Sequence, residues 1–185
     1  TKGKSVVAEV IPLGDFKDSL DFKAWLPSVK GKYVMISMPQ PTGRPDHNWE
    51  KYGKASSIEK MNKDRDAKSA AWNSRIRATG MSANSIPSVL EDAGAVGILT
   101  SNWSKEFGAN KIFGARSHKV PTLDISLEDY GVLYRLAENG IKPKIAVETA
   151  SKDLGNVPSF NTIAEIKGTE FPDEYVILSA HLDSW

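Results

Sequence analysis

Apolar positions along the chain fall into short runs divided by glycine, proline and charge. Val6-Val-Ala-Glu-Val-Ile11 is closed by Pro12 and Gly14 and predicts a strand over 5–11. Phe16, Leu20, Phe22, Trp25 and Leu26 follow, spaced for a short helix or a structured turn over 15–25. Tyr33-Val-Met-Ile36 is unbroken after a Lys-Gly-Lys turn, as in a strand covered on both faces. Residues 39–53, with Pro39, Pro41, Pro45 and Gly43, predict a loop. Ala55 to Thr79 has neither proline nor glycine and predicts a long helix. Ile58, Met61, Arg65, Trp72 and Ile76 mark one side at helical spacing, and the apolar stripe there is thin, so the helix is expected to lie across a surface rather than through a core.

The second half repeats a helix–glycine–strand rhythm. Ile86, Val89, Leu90 and Ala93 step at helical intervals, Gly94 stops them, and Ala95–Thr100 reads as a strand. Residues 101–119 look irregular, and Val120–Ile125 is a further short strand. Ser126 and Asp129 form a capping box ahead of a helix carrying Leu127, Tyr130, Leu133, Tyr134 and Ala137 on one side, ended by Gly140. Lys144–Thr149 alternates, as a half-buried strand does. Residues 150–158, with Ser151, Lys152, Asp153, Gly155, Asn156 and Pro158, read as a linker, the best boundary in the chain. Beyond it, Asn161–Gly168 and Tyr175–Ala180 flank Pro172-Asp173 and predict a hairpin that opens a second sheet. The pattern is α/β: a mixed sheet with flanking helices over 1–150, a helical insertion near 54–80, a linker over 151–160 and new strands over 161–185.

Composition narrows the function. The 185 residues carry 24 Lys and Arg against 23 Asp and Glu, a net charge of +1, so no field favours nucleic acid or an anionic membrane as partner. There is no cysteine, which removes disulfides, thiol catalysis and thiolate metal sites. No apolar run is long enough to span a membrane. The run over 6–11 is too short, and too interrupted by Glu9, for a signal-peptide core. The chain therefore reads as a mature protein or an excised piece of one.

The apolar run Tyr175–Ala180 leads directly into His181-Leu-Asp183. In a strand, positions i and i+2 share a side, so the Asp183 carboxylate would sit beside the His181 imidazole. A metal-bound histidine commonly gives its other N–H to such a carboxylate. Taken bare, His-x-Asp is more often a satisfied histidine at a strand end than a ligand.

The longer segment, Asn161-Thr-Ile-Ala-Glu-Ile-Lys-Gly168 through Pro172 to His181-Leu-Asp-Ser-Trp185, resembles the opening of the catalytic domain of the zinc aminopeptidase and glutamate carboxypeptidase family, the carboxypeptidase Q branch above all. Val29-Lys-Gly-Lys-Tyr-Val-Met-Ile36, Ala93-Gly-Ala-Val-Gly-Ile-Leu99 and Val120-Pro-Thr-Leu-Asp-Ile-Ser126 resemble a protease-associated domain, a module found beside or inserted into such peptidases. The resemblance implies a protease-associated domain followed by the truncated start of a peptidase domain. It implies a two-zinc exopeptidase in which a metal-activated water attacks the peptide carbonyl. It assigns His181 as a zinc ligand and Asp183 as the carboxylate that orients it. The family's bridging Asp, Glu general base and other ligands are expected after Trp185. The chain alone is thus expected to be inactive and to bind zinc weakly or not at all. Implied partners are a peptide substrate and the remainder of the catalytic domain, with self-association if the last strands leave an open edge. The implied location is secreted or periplasmic. The alternative is a non-catalytic interaction module of protease-associated type.

Other residues carry weaker signals. His47 and His118 lie in expected loops, where a surface histidine is the default, although Asp46 and His47 would border a cleft if their loop faced a catalytic domain. Asn102-Trp-Ser104 is a glycosylation sequon. The charged 55–79 helix is most simply a solvated surface.

Overall fold

The structure is a computed structural model that describes residues 3–112, 114–152, 154–158 and 160–181. It divides into two units, Thr1–Ser151 and Lys152–Trp185.

The first unit is built on a five-stranded sheet. Its strands are β1 (Val6–Pro12), β2 (Tyr33–Met35), β3 (Gly97–Thr100), β4 (Thr122–Asp124) and β5 (Lys144–Val147), in the order β4-β3-β2-β1-β5. β1 to β4 are parallel, with Val10 beside Tyr33, Tyr33 beside Gly97 and Ile98 beside Thr122. β5 runs antiparallel along β1, pairing Val147 with Val6 and Lys144 with Glu9. The alternation expected of β5 is present: Ile145 and Val147 pack toward the core.

The helices are α1 (Ser19–Trp25), α2 (Asp46–Tyr52), α3 (Ala55–Ala78), α4 (Ile86–Asp92) and α5 (Leu127–Glu138), with a 3-10 turn at Leu26–Val29. Two cores sandwich the sheet. On one side Phe22 of α1 and Ile86 and Leu90 of α4 meet Val34 and Ile98. On the other, Tyr130 and Tyr134 of α5 meet Val10, Tyr33, Met35 and Leu99. The alternation of β2 and β3 between these cores is why both strands read as unbroken apolar runs. Each fully buried Leu, Ile, Val or Phe here contributes roughly 1.5–3 kcal/mol. Gly97 admits the Tyr33 ring: a Cβ there would meet its carbons at 2.7 Å.

Local chemistry sets the element ends. The Asp18 carboxylate accepts from the N–H groups of Leu20 and Asp21 at 2.9 and 3.0 Å and starts α1. At α5, Asp129 N–H donates to Ser126 Oγ at 3.2 Å and the Ser126 hydroxyl donates to the Asp129 carboxylate at 2.9 Å. The expected box is therefore present, but it closes on the serine hydroxyl rather than on its backbone. Gly94, at φ +94°, turns the chain out of α4.

The expected loop over 39–53 needs correction, because its second part is α2. Pro45 precedes the first turn, where its missing N–H costs nothing, and Asp46 favours the positive helix start. The long helix α3 lies across a surface, as its thin stripe predicts, and buries only Met61 among its described residues. Trp72, Ile76 and Ala78 pack on the core from its partly buried side, and polar ties add to them. Arg75 donates to the Leu13 carbonyl and the Tyr134 hydroxyl, both at 3.1 Å, pairs with Asp15 at 3.8 Å and stacks on Trp72.

The second unit corrects the hairpin expected over 161–180. Its described residues contain no strand. The Pro172-Asp173 turn does form, with Glu174 N–H donating to the Phe171 carbonyl at 3.1 Å. The apolar runs beside it are exposed, Val176 at 95% and Leu178 at 96%. An apolar run becomes a strand only when a neighbour takes its backbone groups and a second layer covers its side chains, and two strands alone are marginal in water. His181 is described at the end of this segment; Asp183 lies outside the described residues.

Candidate functional site

The carboxyl ends of parallel strands in an α/β sheet are where side chains from several strands converge. Here the ends of β2, β3 and β4 deliver Ser37, Thr100, Asn102 and Asp124 to the rim of one open cleft of about 430 Å³. Asn84 and Pro87, at the start of α4, and Arg116, in the segment before β4, are among its other walls.

Asp124 organises this rim. Its Oδ1 accepts from Asn102 N–H at 3.2 Å and from the Asn110 side-chain amide. Its Oδ2 accepts from the Asn102 side-chain amide and, at 3.2 Å, from the Thr100 hydroxyl. Four donors thus converge on a carboxylate that has about four lone-pair sites, the Thr100 hydroxyl sharing its one hydrogen with the Leu123 carbonyl at 3.3 Å. The result folds the 102–110 loop back over β4. Asn110 also donates to the Ile125 carbonyl at 2.8 Å. The amide nitrogen of the Asn102 sequon is therefore already bound to Asp124.

Tyr130 fixes the β2 end from below. Its hydroxyl accepts from Ser37 N–H and donates to the Ser37 carbonyl, each at 2.8 Å. Burial pushes the Tyr130 phenol far above its ordinary range, so it stays neutral and can do both. The Ser37 hydroxyl accepts from Ser101 N–H at 3.0 Å, tying β2 to the end of β3.

Glu91, on α4, shapes the far wall. One carboxylate oxygen accepts the N–H groups of His118, Lys119 and Val120 at 2.8, 2.6 and 3.2 Å. Burial pushes the carboxyl upward, but the three N–H groups and Lys119 together hold it below its usual range. This places the Arg116–Val120 segment and the start of β4.

The histidines expected at the surface are there. His47, on α2, is 57% exposed in its side chain and pairs with Glu106 at 3.5 Å, its ring edge-on to Phe107. Asp46 instead binds Arg65 of α3 at 2.7 Å and Lys105 at 3.4 Å. The Arg65 hydrogen bond leads the effects that hold the Asp46 carboxyl low. His118 is exposed and contributes its backbone N–H to Glu91. His181 belongs to the second unit, and Asp183 is not described, so the expected His–Asp pair has no geometry to report. Among the described residues, no group of three His, Cys, Asp or Glu side chains is placed to hold a metal ion. The described residues therefore do not fit a zinc centre by themselves.

No protein-family model matches the chain, and no solved structure matches it. Curated proteins do. A 67-residue stretch is 43% identical to human carboxypeptidase Q, covering 36% of this chain and 14% of that protein. The mouse protein of the same name is 45% identical and that of Xenopus laevis 42%, over stretches of the same length. Over this stretch the chain is similar to carboxypeptidase Q. Identity near 40% across 67 residues in mammals and an amphibian is well beyond a shared strand-and-turn pattern. The chain spans 14% of the length of these carboxypeptidase Q relatives. No described helix is long and apolar enough to cross a membrane.

Signals for the missed residues were faint. Asp124 stands inside a β-branched run, where a carboxylate needs a reason. Glu91 and Tyr130 look like ordinary helix residues, because what they bind lies 27–29 and 93 positions away.

Proposed function

We propose that this chain is part of a longer zinc-dependent exopeptidase of carboxypeptidase Q type, secreted or extracytoplasmic, that hydrolyses peptide bonds. The match to carboxypeptidase Q carries the reading. The first unit is a protease-associated module that shapes substrate access or specificity, and His181 and Asp183 belong to the metal-binding apparatus of the catalytic part. The hydrolytic step is assigned to the longer protein, to which this chain contributes His181 and Asp183.

The test uses the longer protein. His181→Ala is expected to lower kcat/KM on a dipeptide by more than about 100-fold, and Asp183→Asn to weaken zinc affinity about 10–100-fold. Hydrolysis unchanged by His181→Ala would sink the reading. The 185-residue chain alone is expected to show no hydrolysis of the same dipeptide with zinc added.

A non-catalytic interaction module is the second reading, favoured by the fact that the match covers 36% of the chain. It predicts no hydrolysis by the longer protein either.

A further inference from the structure

The cleft at the ends of β2, β3 and β4 has an uneven chemistry. Its lining includes two charged residues, Asp124 and Arg116. Asp124 is already engaged by donors from Thr100, Asn102 and Asn110. Arg116 is the reverse. Its carbonyl accepts from Ser88, while its guanidinium has no partner among the described residues. The free charge offered to a ligand is therefore positive, planar and able to hold two oxygens at once.

The remaining walls narrow the ligand. Asn84 also has no side-chain partner among the described residues, and an amide can both donate to and accept from a peptide group. Pro87 and Leu123 give apolar surface beside it. A volume of about 430 Å³ suits a few residues of extended chain and far exceeds a bare anion. The rim itself is rigidly held by Asp124, Tyr130 and Glu91, so a ligand meets a largely formed site.

We propose that this cleft holds the carboxyl-terminal end of a peptide, its carboxylate on Arg116, its last amides against Asn84 and a side chain on Pro87 and Leu123. The site holds the chain end without cleaving it. It stands on the cleft alone and does not depend on the peptidase reading.

The test is an amide-shift titration of the 185-residue chain with three probes: N-acetyl-Ala-Leu-Ala with a free carboxylate, the same peptide as its C-terminal amide, and inorganic phosphate. The acid is expected to shift amides at 37, 84, 102 and 116 and to bind at least about ten-fold more tightly than the amide or phosphate. Arg116→Gln should bring the acid down to the affinity of the amide, and Arg116→Lys should recover part of the loss. Arg116 is exposed, so an unchanged unfolding midpoint will confirm that both variants fold. Equal binding of acid and amide would overturn the proposal. So would phosphate binding as tightly as the acid, shifts outside the cleft alone, or no shifts at all.

Discussion

Removing the Asp124 carboxylate strands the backbone and side-chain N–H donors of Asn102 and one Asn110 amide hydrogen, while the Thr100 hydroxyl keeps the Leu123 carbonyl. Asp124→Ala is therefore expected to lower the unfolding free energy by about 1–3 kcal/mol, measured by urea titration. Glu91 makes a pH-dependent contribution. Its carboxyl is held below the unfolded value, so its stabilisation is fully present above the unfolded pKa and is lost as pH falls through the lower, folded one. Urea midpoints are expected to fall on acidification more steeply in the native chain than in Glu91→Gln; parallel curves would contradict this. Neither residue was legible as a keystone. Ser126 and Asp129 were, because they are three apart and the motif is local. Asp124 and Glu91 act through donors brought near only by the fold.

At the scale of elements, the parallel strands and their helices were readable from periodicity and glycine stops. The short α2 was hidden by the prolines before it, which mark a loop and a helix start equally well. α3 tests how a polar helix is held. Arg75→Ala removes bonds to Leu13 and Tyr134 and the stack on Trp72, and about 1–3 kcal/mol of stability is expected to go with them. Lys68→Ala, on the exposed part of the same helix, is expected to change stability by less than about 0.5 kcal/mol. Equal effects of the two would show that α3 is held by something other than its Arg75 end. Gly97→Ala presses a methyl group into the Tyr33 ring between two central strands, and a cost of about 1–3 kcal/mol is expected.

At the scale of the molecule, the apolar runs over 161–180 were misread for a physical reason. Periodicity records what a segment would bury, not whether a partner is there to bury it. Hydrogen exchange measures the difference. Amides of Tyr33–Met35 and Ile98–Leu99 are expected to exchange slowly, and those of Val176–Leu178 at nearly unprotected rates. Slow exchange at 176–178 would mean that these residues are paired after all. The same limit covers the predicted metal residues: His181 and Asp183 were picked out by motif, and a motif carries no geometry until its other ligands surround it.

One pairing has a consequence for how such a unit can be built into larger chains. Val6 lies beside Val147, so the polypeptide arrives and departs on neighbouring strands, about 4.5–5.5 Å apart. A unit whose two ends meet in this way can be spliced into a surface loop of a host without prising that loop open. It can also be circularly permuted: joining residue 148 to residue 5 through a short glycine linker and opening new ends in the exposed 105–109 stretch is expected to leave the five-stranded order intact.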